Sequence, residues 1–360
     1  MAWTPGTRIG SYEIVDVLGH GGMSEVFRVR HLISDRVEAM KILLSASSTN
    51  TEMLERFTRE IRLLANLNHP NIAALHTAFH HDNQLVMVME YVDGADLGSR
   101  LGSRGATLNQ ALDYMRQVLV ALSYAHSLNI IHRDIKPSNI MITPDERVKL
   151  LDFGLALSSP DSRLTMTGAL VGSMHYIAPE QISGEPHDAR SDLYAAGVML
   201  YEMITGRLPF EGTTYPQVIA AHLQHRPLTP NTINAAVPEA LSNLAIKALA
   251  KNKKERWQTA DDFLAALNAI QMGDASQVHI QPKQTSSKRE GQTSYQPEHL
   301  TEITRKLATH VGPIASVLVR RASSSCNNLR ELCDQVANEI ESADGKKKFL
   351  DSVRSIRAGN

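Results

Sequence analysis

The chain has 360 residues, room for about two domains at roughly 150 residues each and for a sizeable core. Its 37 basic and 38 acidic side chains leave a net charge of −1, and 42% of its residues are apolar. That balance excludes a chain devoted to nonspecific nucleic-acid or anionic-membrane binding, and no apolar run approaches the ~18 residues of a membrane-spanning helix. Met1–Gly10 lacks the apolar segment and small-residue cleavage site of a leader peptide, so the chain reads as cytoplasmic. Cys326 and Cys333 fall two helical turns apart, about 10 Å, too far for a disulfide within one helix. They have no histidine beside them to complete a zinc site and are expected as small buried apolar residues.

After an N-terminal extension over residues 1–11, short β-like runs predict strands at Tyr12–Leu18, Val26–His31, Val37–Leu43, Ala73–His80 and Leu85–Tyr91. Met53, Leu54, Phe57, Ile61 and Leu64 interrupt them at helical spacing. Residues 105–270 read as mostly helical, with helices predicted at Ala111–Leu128, Ser191–Thr205, Tyr215–His225, Pro238–Leu249 and Ala260–Ile270. Strands first and helices afterwards indicate an α+β architecture in two lobes rather than repeated βαβ units. From 271 to 296 Gln, Ser, Thr and Lys dominate, the composition of a flexible linker. Four short apolar stripes follow, at Leu300/Ile303/Leu307, Ile314/Val317/Leu318, Leu329/Leu332/Cys333/Val336/Ile340 and Phe349/Leu350/Val353/Ile356. They predict a small all-α module over 297–360, or a docking surface.

Chemistry concentrates in the first three-quarters of the chain. The cluster Leu18-Gly19-His20-Gly21-Gly22-Met23-Ser24 lies between two predicted strands, where glycines let backbone N–H groups close over phosphates. Lys41 lies in the strand expected at Val37–Leu43, and a lysine on a half-buried strand needs a partner; Glu60 on the following helix can supply it. His132-Arg133-Asp134-Ile135-Lys136-Pro137-Ser138-Asn139 follows an apolar pair, and Asp152-Phe153-Gly154 stands thirteen residues beyond Asn139. Two acids, an amide and a lysine on two loops fit phosphoryl transfer. One carboxylate accepts a hydroxyl proton, the other acid and the amide hold Mg²⁺, and the lysine neutralises the moving charge. His76, His80 and His81 with Asp82 look like a metal cluster but fall at a strand end and hairpin, where they are expected as ordinary side chains.

Together these motifs, with Ala178-Pro179-Glu180, make the chain resemble the bacterial eukaryotic-type serine/threonine protein kinases over about Tyr12–Ile270. The resemblance implies a two-lobed protein kinase domain over 12–270, with a small β-rich lobe over 12–92 and a large helical lobe over 93–270. It implies transfer of the ATP γ-phosphate to Ser/Thr hydroxyls of protein substrates, with Mg²⁺ or Mn²⁺. Leu18, Gly19, His20, Gly21, Gly22, Met23 and Ser24 then cover the ATP phosphates, Ser24 standing for a third glycine. Val26 and Ala39 sandwich adenine over Met141. Met89 is the gatekeeper, and Glu90 and Val92 are the hinge. Lys41, held by Glu60, contacts the α/β-phosphates, Asp134 is the catalytic base, Lys136 touches the γ-phosphate, and Asn139 and Asp152 are the metal ligands. Leu64, Leu75, Phe153 and His132 stack as the regulatory spine, Glu180 pairs with Arg256, and Asp192 anchors the catalytic loop. Gly172 and Ser173 belong to the substrate-docking loop, Ser173 standing for the usual threonine.

Arg133 before Asp134 implies activation by phosphate in the activation loop, at Thr165 and Thr167, by autophosphorylation. The resemblance further implies a homodimer through the small lobe, and for the helical tail two roles stand open: it binds a regulatory partner, or it docks on the kinase domain and restrains it. No nucleic acid or membrane span is expected. The alternative is a pseudokinase, a scaffold that binds nucleotide or partners without transfer.

Overall fold

The structure is a computed structural model that describes residues 3–20, 24–43, 58, 61–82, 84–153, 173–212, 214–270, 279–280, 297–311, 315, 318–319, 322, 329–337 and 343–353. Contacts divide the chain into two units, Met1–Pro282 and Lys283–Asn360.

The first unit begins with a six-stranded antiparallel sheet. Its strands are β1 (Arg8–Ile9), β2 (Tyr12–His20), β3 (Ser24–His31), β4 (Val37–Leu43), β5 (Leu75–His81) and β6 (Gln84–Glu90), in spatial order β1-β2-β3-β4-β6-β5. Alternation sends Phe27, Val29, Met40, Ile42, Val86 and Val88 into a core on one face. The opposite face carries Ala39 beside Met89 and Lys41 beside Met87, cross-strand partners in register. Residues before Tyr12 are part of this lobe and not an appendage. Ile9 pairs with Tyr12 and is fully buried, and Trp3 packs on the same core. A two-residue strand leaves no period to read.

Glu38 lies on the core face, fully buried and directly opposite Glu90. A carboxylate there costs several kcal/mol unless paired, and it is paired with Arg36 at 3.0 Å and with His76. His76 is the extra residue of a bulge in β5, where the register shifts between Leu75 and Thr77. The bulge aims the imidazole across β6 onto β4. His76 thus has a partner within the sheet, and among the described residues no group of three metal-ligating side chains forms.

The larger lobe follows with β7 (Ala95–Asp96), α1 (Leu97–Arg104), β8 (Ala106–Thr107), α2 (Leu108–Ser127), β9 (Ile140–Ile142) and β10 (Val148–Leu150). Then come α3 (Pro179–Ser183), α4 (Ala189–Thr205), α5 (Tyr215–Gln224), α6 (Pro230–Ile233), α7 (Glu239–Ala248) and α8 (Ala260–Asn268). Thr107 and Gln110 form a capping box that starts α2, whose Leu112, Met115, Leu119 and Leu122 are fully buried. α4 is buried nearly all round, as its apolar circumference requires, and packs against α2 and α7. The chain enters this lobe through Gly94, where a Cβ would collide with the Ile142 carbonyl.

Further features depart from the sequence reading. The 105–270 stretch contains the β9–β10 hairpin, whose three-residue strands are too short for a periodic signal. The expected linker is interrupted by β11 (His279–Ile280), which pairs with β8 and buries Ile280 in the large-lobe core. One apolar side chain in a polar stretch carries no pattern.

The second unit contains α9 (Pro297–Val311), α10 (Leu329–Ala337) and α11 (Ala343–Ser352). Their stripes meet one another through Ile303, Leu307, Leu332, Cys333, Val336, Phe349 and Val353. Cys333 is a buried apolar residue, as expected, while Cys326 lies outside the described residues. Among the described residues no helix is long and apolar enough to cross a membrane.

Candidate active site

The loop between α2 and β9 carries Asp134, Lys136 and Asn139. Lys136 Nζ donates to Asp134 Oδ2 at 2.6 Å, and Asn139 Nδ2 donates to the same oxygen at 2.9 Å and to the Asp134 carbonyl at 2.8 Å. Two donors fix one carboxylate oxygen. The loop is held from below by Asp192 of α4, which is buried. Its carboxylate accepts the backbone N–H groups of His132 and Arg133, both at 2.8 Å, and His126 Nε2 at 2.8 Å. Burial alone pushes the Asp192 carboxyl up, but these donors hold it below its ordinary range. The clamp also explains why Arg133 keeps a left-handed backbone, φ 69°. Gln181 Nε2 donates to the Arg133 carbonyl at 3.2 Å. His126 stands outside the sequence motifs and Gln181 directly follows Ala178-Pro179-Glu180, and neither was among the expected site residues.

His132 is buried, which lowers its pKa and keeps it neutral. Its Nε2–H donates to the Leu151 carbonyl at 2.8 Å, and its ring lies 4.6 Å from that of Phe153. Leu64, Leu75, Met89 and Phe153 line one small cavity, and of the four expected spine residues Phe153 and His132 are in ring contact. Leu151 N–H donates to the Asn139 carbonyl at 2.8 Å, which sets Asp152 beside the Asp134 loop. Asp152 itself has φ 39°, and its Oδ2 pairs with Lys41 Nζ at 2.8 Å. Thus Lys41 reaches across from the small lobe to the second loop. Glu60, its expected partner, lies outside the described residues.

Above the loops, Val26, Lys41 and Met87 form one cross-strand row, and Ala39 and Met89 part of the next. Glu90 is fixed by Lys149 at 2.7 Å and by the Ala74 N–H at 3.2 Å, and Val92 is buried. Met141 lies in β9 below. Leu18, Gly19 and Ser24 sit on β2 and β3, and His20 ends β2. Gly21, Gly22 and Met23 lie outside the described residues, as do Gly154, Thr165, Thr167 and Gly172.

Beyond that segment, Ser173–Tyr176 forms a 3-10 turn packed on α4 and α5. Tyr176 donates to Glu202 at 2.5 Å, and burial pushes the Glu202 carboxyl up. Glu180 meets Arg256 in a bidentate pair at 2.7 and 2.8 Å, both residues buried.

Residues 12–267 match the protein kinase domain family. The chain belongs to the protein kinase family. Its kinase domain is 38% identical over 262 residues to the serine/threonine-protein kinase PrkC of Bacillus subtilis, an alignment covering 72% of this chain and 40% of that one. It is 37% identical over 278 residues to the serine/threonine-protein kinase PknB of Mycobacterium tuberculosis, covering 75% of this chain and 44% of that one. The chain therefore spans less than half the length of these relatives. The crystal structure of the Mycobacterium tuberculosis PknI kinase domain superposes with a TM-score of 0.60 at 30% identity, covering 74% of this chain and 99% of that one. Residues 298–359, beyond the kinase domain, match a family described as a domain of unknown function (DUF8082).

Proposed function

We propose that the chain is a serine/threonine protein kinase that transfers the γ-phosphate of ATP to hydroxyls of protein substrates. One observation carries this reading: Lys136 and Asn139 converge on the Asp134 carboxylate, while Asp152 lies on the neighbouring loop with Lys41 on it. Asp134 is positioned to take the acceptor hydroxyl's proton. Lys136, 2.6 Å away, neutralises charge on the transferring phosphoryl group. Asn139 directs its amide N–H to Asp134, which turns its carbonyl oxygen outward. With the Asp152 carboxylate this is an all-oxygen donor pair, the hard set that suits Mg²⁺ or Mn²⁺. Asn139 and Asp152 would hold the metal, whose positive charge would offset that of the phosphates. Val26 and Ala39 on one face of the small-lobe sheet, with Met141 on β9, are apolar groups that suit an adenine ring, and Glu90 and Val92 would offer backbone groups at its edge. This complete set argues against a pseudokinase.

The finer readings follow from the family. Autophosphorylation at Thr165 and Thr167 would give Arg133 a phosphate partner. Incubation with Mg-ATP and mass spectrometry should find phosphate on both threonines in the wild type and neither in Asp152→Asn. An active preparation with both sites unmodified would sink the loop switch. A homodimer through the small lobe draws support from Leu32, Ile33 and Val37, all exposed around one β3–β4 turn. Ile33→Glu should then shift the sedimentation coefficient towards that of a monomer, and no shift speaks against this interface. The helical tail is read as a docking site for a regulatory partner, and the site of action as the cytoplasm.

A further inference from the structure

Beneath the turn Ser173–Tyr176 lies a cluster of buried polar groups that phosphoryl transfer does not use. His222 of α5 is fully buried. Its Nδ1 is 2.9 Å from the Tyr194 hydroxyl of α4, and its ring is 4.8 Å from that of Phe210. Its Nε2 is buried and faces the backbone of His175 in the turn, against which α5 packs.

The cluster is continuous with the Glu180–Arg256 pair. The Arg256 guanidinium lies 4.7 Å over the Tyr194 ring, and Tyr194 in turn holds His222. Lys251 Nζ caps α5 at the Ala221 carbonyl, 3.2 Å away, and lies 3.8 Å over the Phe210 ring. The titratable and charged groups around the imidazole are Lys251, His175, Tyr194 and Arg256. Burial first, then Lys251 and His175, pushes His222 down to about 3, so it is a neutral hydrogen-bonding group at every working pH.

We infer that His222 is a positioning residue for the protein substrate: fixed by Tyr194, its imidazole props the turn Ser173–Tyr176 against α5 and so sets how tightly the acceptor segment binds. The inference rests on reading that turn as the substrate-docking segment. It implies that losing His222 acts on acceptor affinity and leaves ATP binding alone, because the cluster is built on α4 and α5 of the large lobe whereas Val26 and Ala39 belong to the small-lobe sheet.

Steady-state kinetics on the full chain test it, with casein as acceptor and four variants. His222→Leu should raise the acceptor KM about 10-fold with the ATP KM within about 2-fold of wild type, and His222→Asn, which restores an amide atom near Nδ1, should recover most of the loss. A purely structural role would lower kcat through the active fraction and leave both KM values unchanged, which overturns the inference. Where His222→Leu does not fold, Tyr194→Phe carries the test, since it removes only the hydroxyl that fixes the ring; an unchanged acceptor KM there has the same meaning. Ser173→Ala separates the two readings. If it raises the acceptor KM and the His222 and Tyr194 variants do not, the docking turn stands and His222 falls. If Ser173→Ala changes nothing, the docking reading falls with it.

Discussion

Asp134→Asn should lower kcat by about 10²- to 10⁴-fold while the ATP KM stays near the wild-type value. The side chain it replaces is nearly the same size, so the loss is chemical. In the wild type, Asp134 Oδ2 receives Lys136 at 2.6 Å and Asn139 at 2.9 Å. An asparagine must turn its carbonyl towards those two donors, which leaves its NH₂ facing outward, where a proton acceptor is needed. It also removes the negative charge that holds the Lys136 ammonium in place. On the proposed reading base and electrostatic partner are lost together, whereas the face of β3, β4 and β6 proposed to hold adenine is untouched. Thermal unfolding should move little, because Asp134 is part-exposed and its backbone is held by the Asp192 clamp next to it. Quenched-flow or steady-state rates with the same casein acceptor measure the effect. A loss below about tenfold would remove Asp134 from the role of base.

How much of this arrangement can be read from the residues depends on the distance over which each signal acts. Asp134, Lys136 and Asn139 fall within six residues, so a loop suffices to bring them together, and their grouping was legible. The six-stranded sheet was legible for its five longer strands, because alternation over seven or more residues survives local irregularity. β1, β11 and the β9–β10 hairpin were not, since two or three residues define no period. α1 was missed for another reason. Its sequence, Leu-Gly-Ser-Arg twice over, has poor helix formers, and it is nucleated by Asp96 accepting the Ser99 N–H at 2.9 Å. The supports of the catalytic loop are the least legible. His126 reaches Asp192 across 66 residues and Gln181 reaches Arg133 across 48, and nothing local distinguishes either from a surface side chain. Glu38 shows the reverse. A carboxylate in a strand pattern reads as solvent-facing, and only a bulge elsewhere in the sheet, at His76, explains its burial.

Arg256→Met should destabilise the kinase domain by about 3–5 kcal/mol, the largest loss expected from a residue outside the catalytic loops. Arg256 is fully enclosed and donates to both oxygens of Glu180 at 2.7 and 2.8 Å. It also donates to the carbonyls of Ala250 at 2.7 Å, Lys251 at 2.9 Å and Arg190 at 3.3 Å. Methionine fills much of the space and replaces none of the bonds, so a buried carboxylate is left with Ser191 as its remaining side-chain donor at 2.6 Å. The sign of the pH dependence distinguishes this cause from a packing defect. Burial by itself pushes the Glu180 carboxyl up; in the wild type the hydrogen bonds from Arg256 and Ser191 outweigh that and hold it below its ordinary range. The wild-type pair therefore adds stability that is fully present above the ordinary carboxyl pKa of about 4.5 and is lost as pH falls through the lower folded value. Without Arg256, burial dominates and the folded-state pKa rises above the unfolded one. The variant then takes up a proton on folding as pH falls, which relieves part of its deficit. Urea unfolding at pH 7 and pH 5 should show the gap between wild type and variant narrowing towards acid, by up to about 1.4 kcal/mol per pH unit for one proton. A gap that is constant with pH would mean that the loss comes from the three carbonyls and the packing around Tyr194. A double variant, Glu180→Gln with Arg256→Met, should be less unstable than Arg256→Met alone at pH 7, because it removes the stranded charge.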